Sequence, residues 1–282
     1  MAVEPSVYVR VIYRYALATR ISHWLWAIAF AVLVSSGLQI FNAHPALYWG
    51  DRSDRDRPLL SMGAVMAGNG ERRGITTVLG HPFDTTGLFG YSSETRRGFP
   101  AWATLPGPQW LAMGRRWHLL FAWVFVVNGL LFGLYAFVSR HFWRDLCPKW
   151  RDLRTIGHAM WSHLTLRHPT VEEAGRYNVM QKIAYTGVIF GLGPLVVLTG
   201  LSMSPAVDAA FPWLPDLFGG RQAARTLHFL ACLAFVGFVV GHLFMVAATG
   251  LVNNLRSMLT GWFRIEQDGG AYDGQASRQH HG

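Results

Sequence analysis

The stretch Ala224–Gly250, ARTLHFLACLAFVGFVVGHLFMVAATG, decides the reading of this chain. It is apolar for long enough to cross a bilayer as one helix, which takes about 20 residues. Yet it carries His228 and His242. A histidine in a membrane helix is costly and faces a protein interior, where it serves a site. The two are fourteen residues apart. At about 100° and 1.5 Å per residue that is almost four whole turns, so both imidazoles share one face, roughly 21 Å apart along the axis. Two ligands on one stripe, one toward each side of a bilayer, suit a helix that holds two stacked haems. The rest of the chain should then supply two more histidines at matching depths.

Composition agrees with a membrane setting. Of 282 residues, 51% are hydrophobic and only 15% charged, with 12 tryptophans, which is not the balance of a soluble domain. The net charge of +9 comes almost wholly from arginine, Lys149 and Lys182 being the only lysines. With so many apolar runs, that charge reads as topology rather than nucleic-acid binding. Cys147 and Cys232 give no disulfide framework, and no C-x-x-C-H run occurs, so any haem is expected to be non-covalent. No short apolar run ends in a small-residue cleavage site, so the first span is expected to stay as an anchor.

Four spans follow, at about 21–41, 117–138, 183–201 and 225–250. The predicted fold is all-α, a four-transmembrane-helix bundle with a long extracytoplasmic segment, 42–116, between helices 1 and 2. Residues 1–265 form one membrane domain and 266–282 a polar C-terminal tail, with no internal repeat apparent. Lys and Arg number 3 in residues 1–22, 8 in 139–182, 3 in 251–282 and 2 in 202–225. The 9 in segment 42–116 count for little, because loops beyond about 60 residues cross largely regardless of charge. Both termini are therefore expected in the cytoplasm, in a multi-pass membrane protein with segment 42–116 outside. Segment 42–116 is rich in Gly, Pro and aromatics, and its aromatic content argues for order. In 139–182, Leu153, Ile156, Met160 and Leu164 are spaced as on an interfacial helix. Pro169 opens a second helical start with acidic residues in its first turn.

The histidines sort by depth. His118 opens span two and His228 opens span four, both at the outer face. His23 opens span one at the inner face, and His242 lies about eight residues before the inner end of span four, which leaves that pair slightly offset. Depth pairs His118 with His228 and His23 with His242, each pair an axial set for one haem iron. Arg115, Arg225 and Arg20 each precede a histidine by three residues and share its face. They would hold haem propionates or anchor the helix by snorkelling. Gly237 and Gly241, like Gly129 and Gly133, would admit a macrocycle or simply pack helices. Cys232, one turn after His228, reads as a small buried hydrophobe. His44, His81, His141, His158, His163, His168, His280 and His281 read as surface residues.

The residues RISHW (20–24), RRWH (115–118), GRYNVMQKIAY (175–185), RTLHF (225–229), GHL (241–243) and NNLRSMLTGWF (253–263) carry a resemblance. It is to the bacterial di-haem cytochrome b561 group, the membrane subunits of nickel-iron hydrogenase, formate dehydrogenase and thiosulfate reductase. The likeness covers the four spans and their inner connections, and is nearest to the thiosulfate-reductase type. It implies two haem b groups and an extracytoplasmic, molybdenum-dependent oxidoreductase partner. The outer haem would exchange electrons with that partner and the inner one with quinone. Tyr177, Asn178, Gln181, Lys182 and Tyr185 then offer hydrogen bonds to a quinone, or ordinary interface capping. No side chain is expected to act as a catalytic acid or base. Two other classes compete: a self-contained haem reductase for a small soluble acceptor, and a non-redox anchor or transporter.

Overall fold

The computed structural model describes residues 7–92, 95–107, 109–149 and 179–268. It is mostly helical, with four helices long and apolar enough to cross a membrane. These are α1 (Leu17–Phe41), α2 (Leu111–Val138), α3 (Val179–Ser202) and, after two short helices α4 (Pro205–Ala210) and α5 (Trp213–Leu217), α6 (Arg221–Ala248). Each begins about four to six residues before the span read from sequence. The reason is that hydropathy stops at the first charge, whereas the backbone stays helical through the interface, so Arg20, Arg115 and Arg225 lie inside their helices.

The earlier starts correct the offset expected for the inner pair. His23 is six residues after Leu17, and His242 is six before Ala248. His118 and His228 each stand seven residues after the first residue of α2 and α6. Both pairs are matched in helical depth. In α3 the turns widen to a π-helical stretch, Val188–Leu192. It lies just before Pro194, which has no N–H to give to the helical ladder.

The described residues fall into two compact units. One comprises 7–23, 132–149, 179–186 and 239–268. Its chain ends are joined: strand β1 (Val7–Tyr13) pairs antiparallel with the last strand, Trp262–Asp268, in the register Tyr13↔Trp262 to Val7↔Asp268. That last strand runs past residue 265 into the stretch read as tail. The alternation VYVRVIY is the period-2 signal of a strand, and Ile12 packs on Phe263 and Ile265. The helix α7 (Leu251–Thr260) turns the chain into this strand. Asn253 clamps it, donating to Arg264 O at 2.7 Å and accepting from Arg264 N at 3.0 Å. Asn254 donates to Val246 O at 3.2 Å at the end of α6, where carbonyls lack helical partners. The inner helices expected within 153–182 lie outside the described residues, apart from 179–182, which open α3.

The other unit comprises 24–131 and 187–238, less the undescribed positions. The described residues of segment 42–116 are ordered, as its aromatics suggested, but largely as β-structure before α2 begins at Leu111. Strands β2 (Ala46–Leu47), β3 (Leu60–Met66), β4 (Arg72–Val78) and β5 (His81–Asp84) form one antiparallel sheet in that order. Strands β6 (Gly90–Ser92) and β7 (Thr95–Arg97) form a hairpin; the terminal strand Trp262–Asp268 is β8. Phe41, Leu47 and Met62 make a core on which Leu60, Phe89, Phe99 and Phe229 pack. The segment also caps α6: Gly50 O accepts from Gln222 N at 2.9 Å and Ala223 N at 3.0 Å, and Thr226 Oγ1 donates to Tyr48 O at 2.7 Å. The two bonds to Gly50 O satisfy N–H groups that a helix start leaves open. They fix the turn from which His228 projects.

Candidate functional site

In the second unit His118 and His228 face each other, ring centroids 6.3 Å apart and planes at 64°. Their Nδ1 atoms are held by the other two long helices. His118 Nδ1–H donates to Leu33 O at 3.1 Å, with Ser36 Oγ at 3.2 Å. His228 Nδ1–H donates to Val196 O at 2.9 Å, with Thr199 Oγ1 at 3.2 Å. Ser36 gives its own hydrogen to Val32 O at 2.6 Å, and Thr199 gives its to Leu195 O at 2.7 Å, so each hydroxyl oxygen is left to accept from imidazole. A carbonyl on Nδ1 fixes the tautomer with hydrogen there and leaves the Nε2 lone pair for a metal.

Glycine makes the approach possible. A Cβ at Gly37 would stand 3.3 Å from His118 Cε1, and one at Gly200 would stand 3.2 Å from His228 Cε1. The two cradles are one motif used twice, LVSSGLQ at 33–39 and VVLTGLS at 196–202. Carbonyl, hydroxyl and glycine recur at positions one, four and five. The glycines singled out from sequence behave differently: a Cβ at Gly133, Gly237 or Gly241 would meet nothing within 4 Å, and at Gly129 only Trp26, at 3.8 Å. At Gly133, Gly237 and Gly241 no described neighbour packs closely enough to require glycine.

In the first unit His23 and His242 face each other with centroids 6.2 Å apart and planes at 55°. Tyr185 lies edge-on to His242 at 6.4 Å. Gln181 and Lys182 lie on the same helix, α3, whereas Tyr177 and Asn178 lie outside the described residues.

The donor sets fit a haem iron. A first-row metal holds an imidazole nitrogen at about 2.0–2.1 Å, and the ring centroid lies roughly 1.1–1.2 Å behind it, so two imidazoles opposed across one metal have centroids about 6.3 Å apart. Both pairs meet that spacing. Among the described residues no three His, Cys, Asp or Glu side chains gather as a metal site. A bare ion needs more donors than two, whereas an iron already in a macrocycle needs only axial ligands.

The three arginines at i−3 differ. Arg225 donates to His44 O at 2.6 Å and lies over the Phe41 ring at 5.5 Å. Arg20 donates to Leu259 O and keeps a buried Nε without a partner. Arg115 is exposed. Cys232 is half-buried. His44 is exposed and stacks on Tyr48 at 5.6 Å, and His81 is exposed. His141 is not a plain surface residue: its side chain is 13% exposed and its Nδ1 bonds Asp145 Oδ2 at 2.8 Å. His158, His163, His168, His280 and His281 lie outside the described residues.

Outside the spans, burial alone pulls the Arg97 guanidinium down. Burial pushes the Tyr15 phenol up against the opposing charge of Arg14. Asp145 is raised by burial, but hydrogen bonds from Arg144 and His141 and their charges outweigh this and hold it below the usual carboxylate value.

The sequence profile described as prokaryotic cytochrome b561 matches residues 14–261. The chain is 28% identical over 233 residues to the putative protein-methionine-sulfoxide reductase subunit YedZ1 of Azospira oryzae, covering 81% of this chain and 87% of that one. It is 36% identical over 93 residues to the putative cytochrome YdhU of Escherichia coli, covering 32% of this chain and 33% of that one. No solved structure matches the chain.

Proposed function

Since this chain belongs to the prokaryotic cytochrome b561 family, and is therefore a haem b-bearing, multi-pass membrane protein of electron transfer, we propose that it holds two haem b groups. His118 and His228 would bind one and His23 and His242 the other. The observation that carries this is the pair of histidine separations, 6.3 and 6.2 Å, each the span of two ligands on one iron. Bound haem supplies reversible one-electron carriage. At His118 and His228 the chain's part is to fix ring orientation, keep Nδ1 hydrogen-bonded and present Nε2.

The natural partners of such a carrier are quinone and a water-soluble oxidoreductase. Tyr185, beside His242, with Gln181 and Lys182 on the same helix and Tyr177 and Asn178 before it, would bind the quinone head group. Arg20, Arg115 and Arg225 would face propionates. The reductase named for the YedZ1 relative, together with the resemblance to thiosulfate-reductase subunits, supports a molybdenum-dependent partner outside the cytoplasmic membrane. The β-sheet of residues 46–84 would be the surface that this partner meets. The pairing of β1 with β8 supports both termini on one side, the cytoplasmic one by charge.

The test is purification in detergent. Two non-covalent b haems per chain are expected, reducible by quinol, together with a water-soluble reductase that is lost when the 60–84 sheet is deleted. One haem per chain would remove the pairing. Two haems without quinol reduction or a partner would favour the self-contained haem reductase. Tyr185→Phe should weaken quinol reduction severalfold with both haems retained.

A further inference from the structure

Arg97 is 6% exposed. Its guanidinium donates to Gly107 O and Thr104 Oγ1, both at 3.0 Å, and to Gln39 Oε1 at 3.4 Å. All three acceptors are neutral. Its Nε is buried with no partner, and among the described residues no carboxylate forms an ion pair with it. A buried guanidinium without an anion carries an uncompensated desolvation cost. The site is built for a negative group that the described chain does not supply.

Its place in the fold says which group. Gln39 is one helical turn beyond Ser36 on the same face of α1, and Ser36 touches His118. Gln39 also packs on α2: a Cβ at Gly114 would come within 2.8 Å of Gln39 Cγ, and Gly114 is one turn before His118 on the same face. Arg97 is thus linked, through Gln39, to the end of the His118 site nearest Phe41 and Leu111, where α1 ends and α2 begins. A haem carries its two carboxylates on one edge, and interfacial edges are where such charges are solvated or paired.

We propose that Arg97 is the counter-charge to a carboxylate of the haem held by His118 and His228. The assignment rests on that histidine pairing. Arg97 comes from a β-hairpin and not from the helix positions three residues before the histidines. A fixed positive charge there favours the reduced, more negative centre.

The test is an optical redox titration of the full chain, with the relevant haem identified as the one missing from His118→Ala. Arg97→Gln should lower that haem's reduction equilibrium about tenfold, which is about 59 mV for one electron. Arg97→Lys should restore most of it. Haem-depleted wild-type and Arg97→Gln protein are then refilled with haem b dimethyl ester. With the carboxylates masked, the two proteins should have the same potential. An unchanged potential in Arg97→Gln, or the same drop with esterified haem, would overturn the proposal; the latter would point to a small anion or a partner's carboxylate. Loss of no haem in His118→Ala would instead overturn the histidine pairing, a separate failure.

Discussion

His118 and His228 stand 6.3 Å apart, centroid to centroid, yet neither is oriented by the helix of the other. Leu33 and Ser36 of α1 hold one, and Val196 and Thr199 of α3 hold the other. All four long helices therefore meet in one ligand pair. A shift of α1 or α3 moves the acceptor of an Nδ1–H bond, and with it the direction of Nε2. That coupling makes Ser36 and Thr199 positioning residues for the site.

Ser36→Ala and Thr199→Ala each remove one acceptor of the imidazole hydrogen and keep the carbonyl. The ring becomes a poorer donor, so the oxidised iron loses support and the potential rises. A bond of about 0.5–1.5 kcal/mol, felt only partly by the metal, gives a rise of roughly 20–50 mV. Ser36→Thr and Thr199→Ser should return to the wild-type value. Redox titration checks this, and a drop in potential would contradict it.

Gly37→Ala and Gly200→Ala place a Cβ at 3.3 and 3.2 Å from an imidazole Cε1, closer than ordinary contact. The ring must give by a few tenths of an ångström. Overpacking of this kind costs about 1–3 kcal/mol, so haem retention at the His118–His228 site should fall about tenfold or more while the other haem stays. Gly63→Ala, which meets nothing within 4 Å, should retain both. Haem loss to apomyoglobin is the measurement.

Asp145 accepts from Arg144 and His141, at 3.0 and 2.8 Å. Its pKa is lower in the folded protein than unfolded, so its contribution to stability is present above the ordinary value of 3.8 and is lost as pH falls through the lower folded value. Asp145→Asn should cost about 0.5–1 kcal/mol at neutral pH, the scale of a partly exposed pair. The difference from wild type should vanish at strongly acid pH. A difference that persists there would show that shape, not charge, is at stake.

The four histidines stand out in the sequence because an imidazole is rare and costly in an apolar span and because helical periodicity is rigid over fourteen residues; the fold brings them into two facing pairs. The span ends do not stand out, since hydropathy registers charges and not hydrogen bonds. The cradle motif lay hidden for another reason. Ser-Gly and Thr-Gly pairs are ordinary in membrane helices, and only their contact with His118 and His228 gives LVSSGLQ and VVLTGLS a shared meaning. The β-sheet of 46–84 was partly legible: RRGITTV carries the β-branched residues of a strand, but Gly and Met dilute the alternation in LSMGAVM. The pairing of β1 with β8 joins residues more than 240 positions apart, a distance at which no local pattern names the partner. Nothing in the sequence around Arg97 announces its burial.

The pairing of the four histidines is the central claim, and haem-resolved redox spectra of their alanine variants test it most directly. His118→Ala and His228→Ala should each remove the same haem. His23→Ala and His242→Ala should each remove the other, leaving the first with its own potential unchanged within about 20 mV, since the surviving ligand pair is intact. If His118→Ala and His242→Ala were to remove the same haem, or if any single variant kept both, the pairing would be wrong.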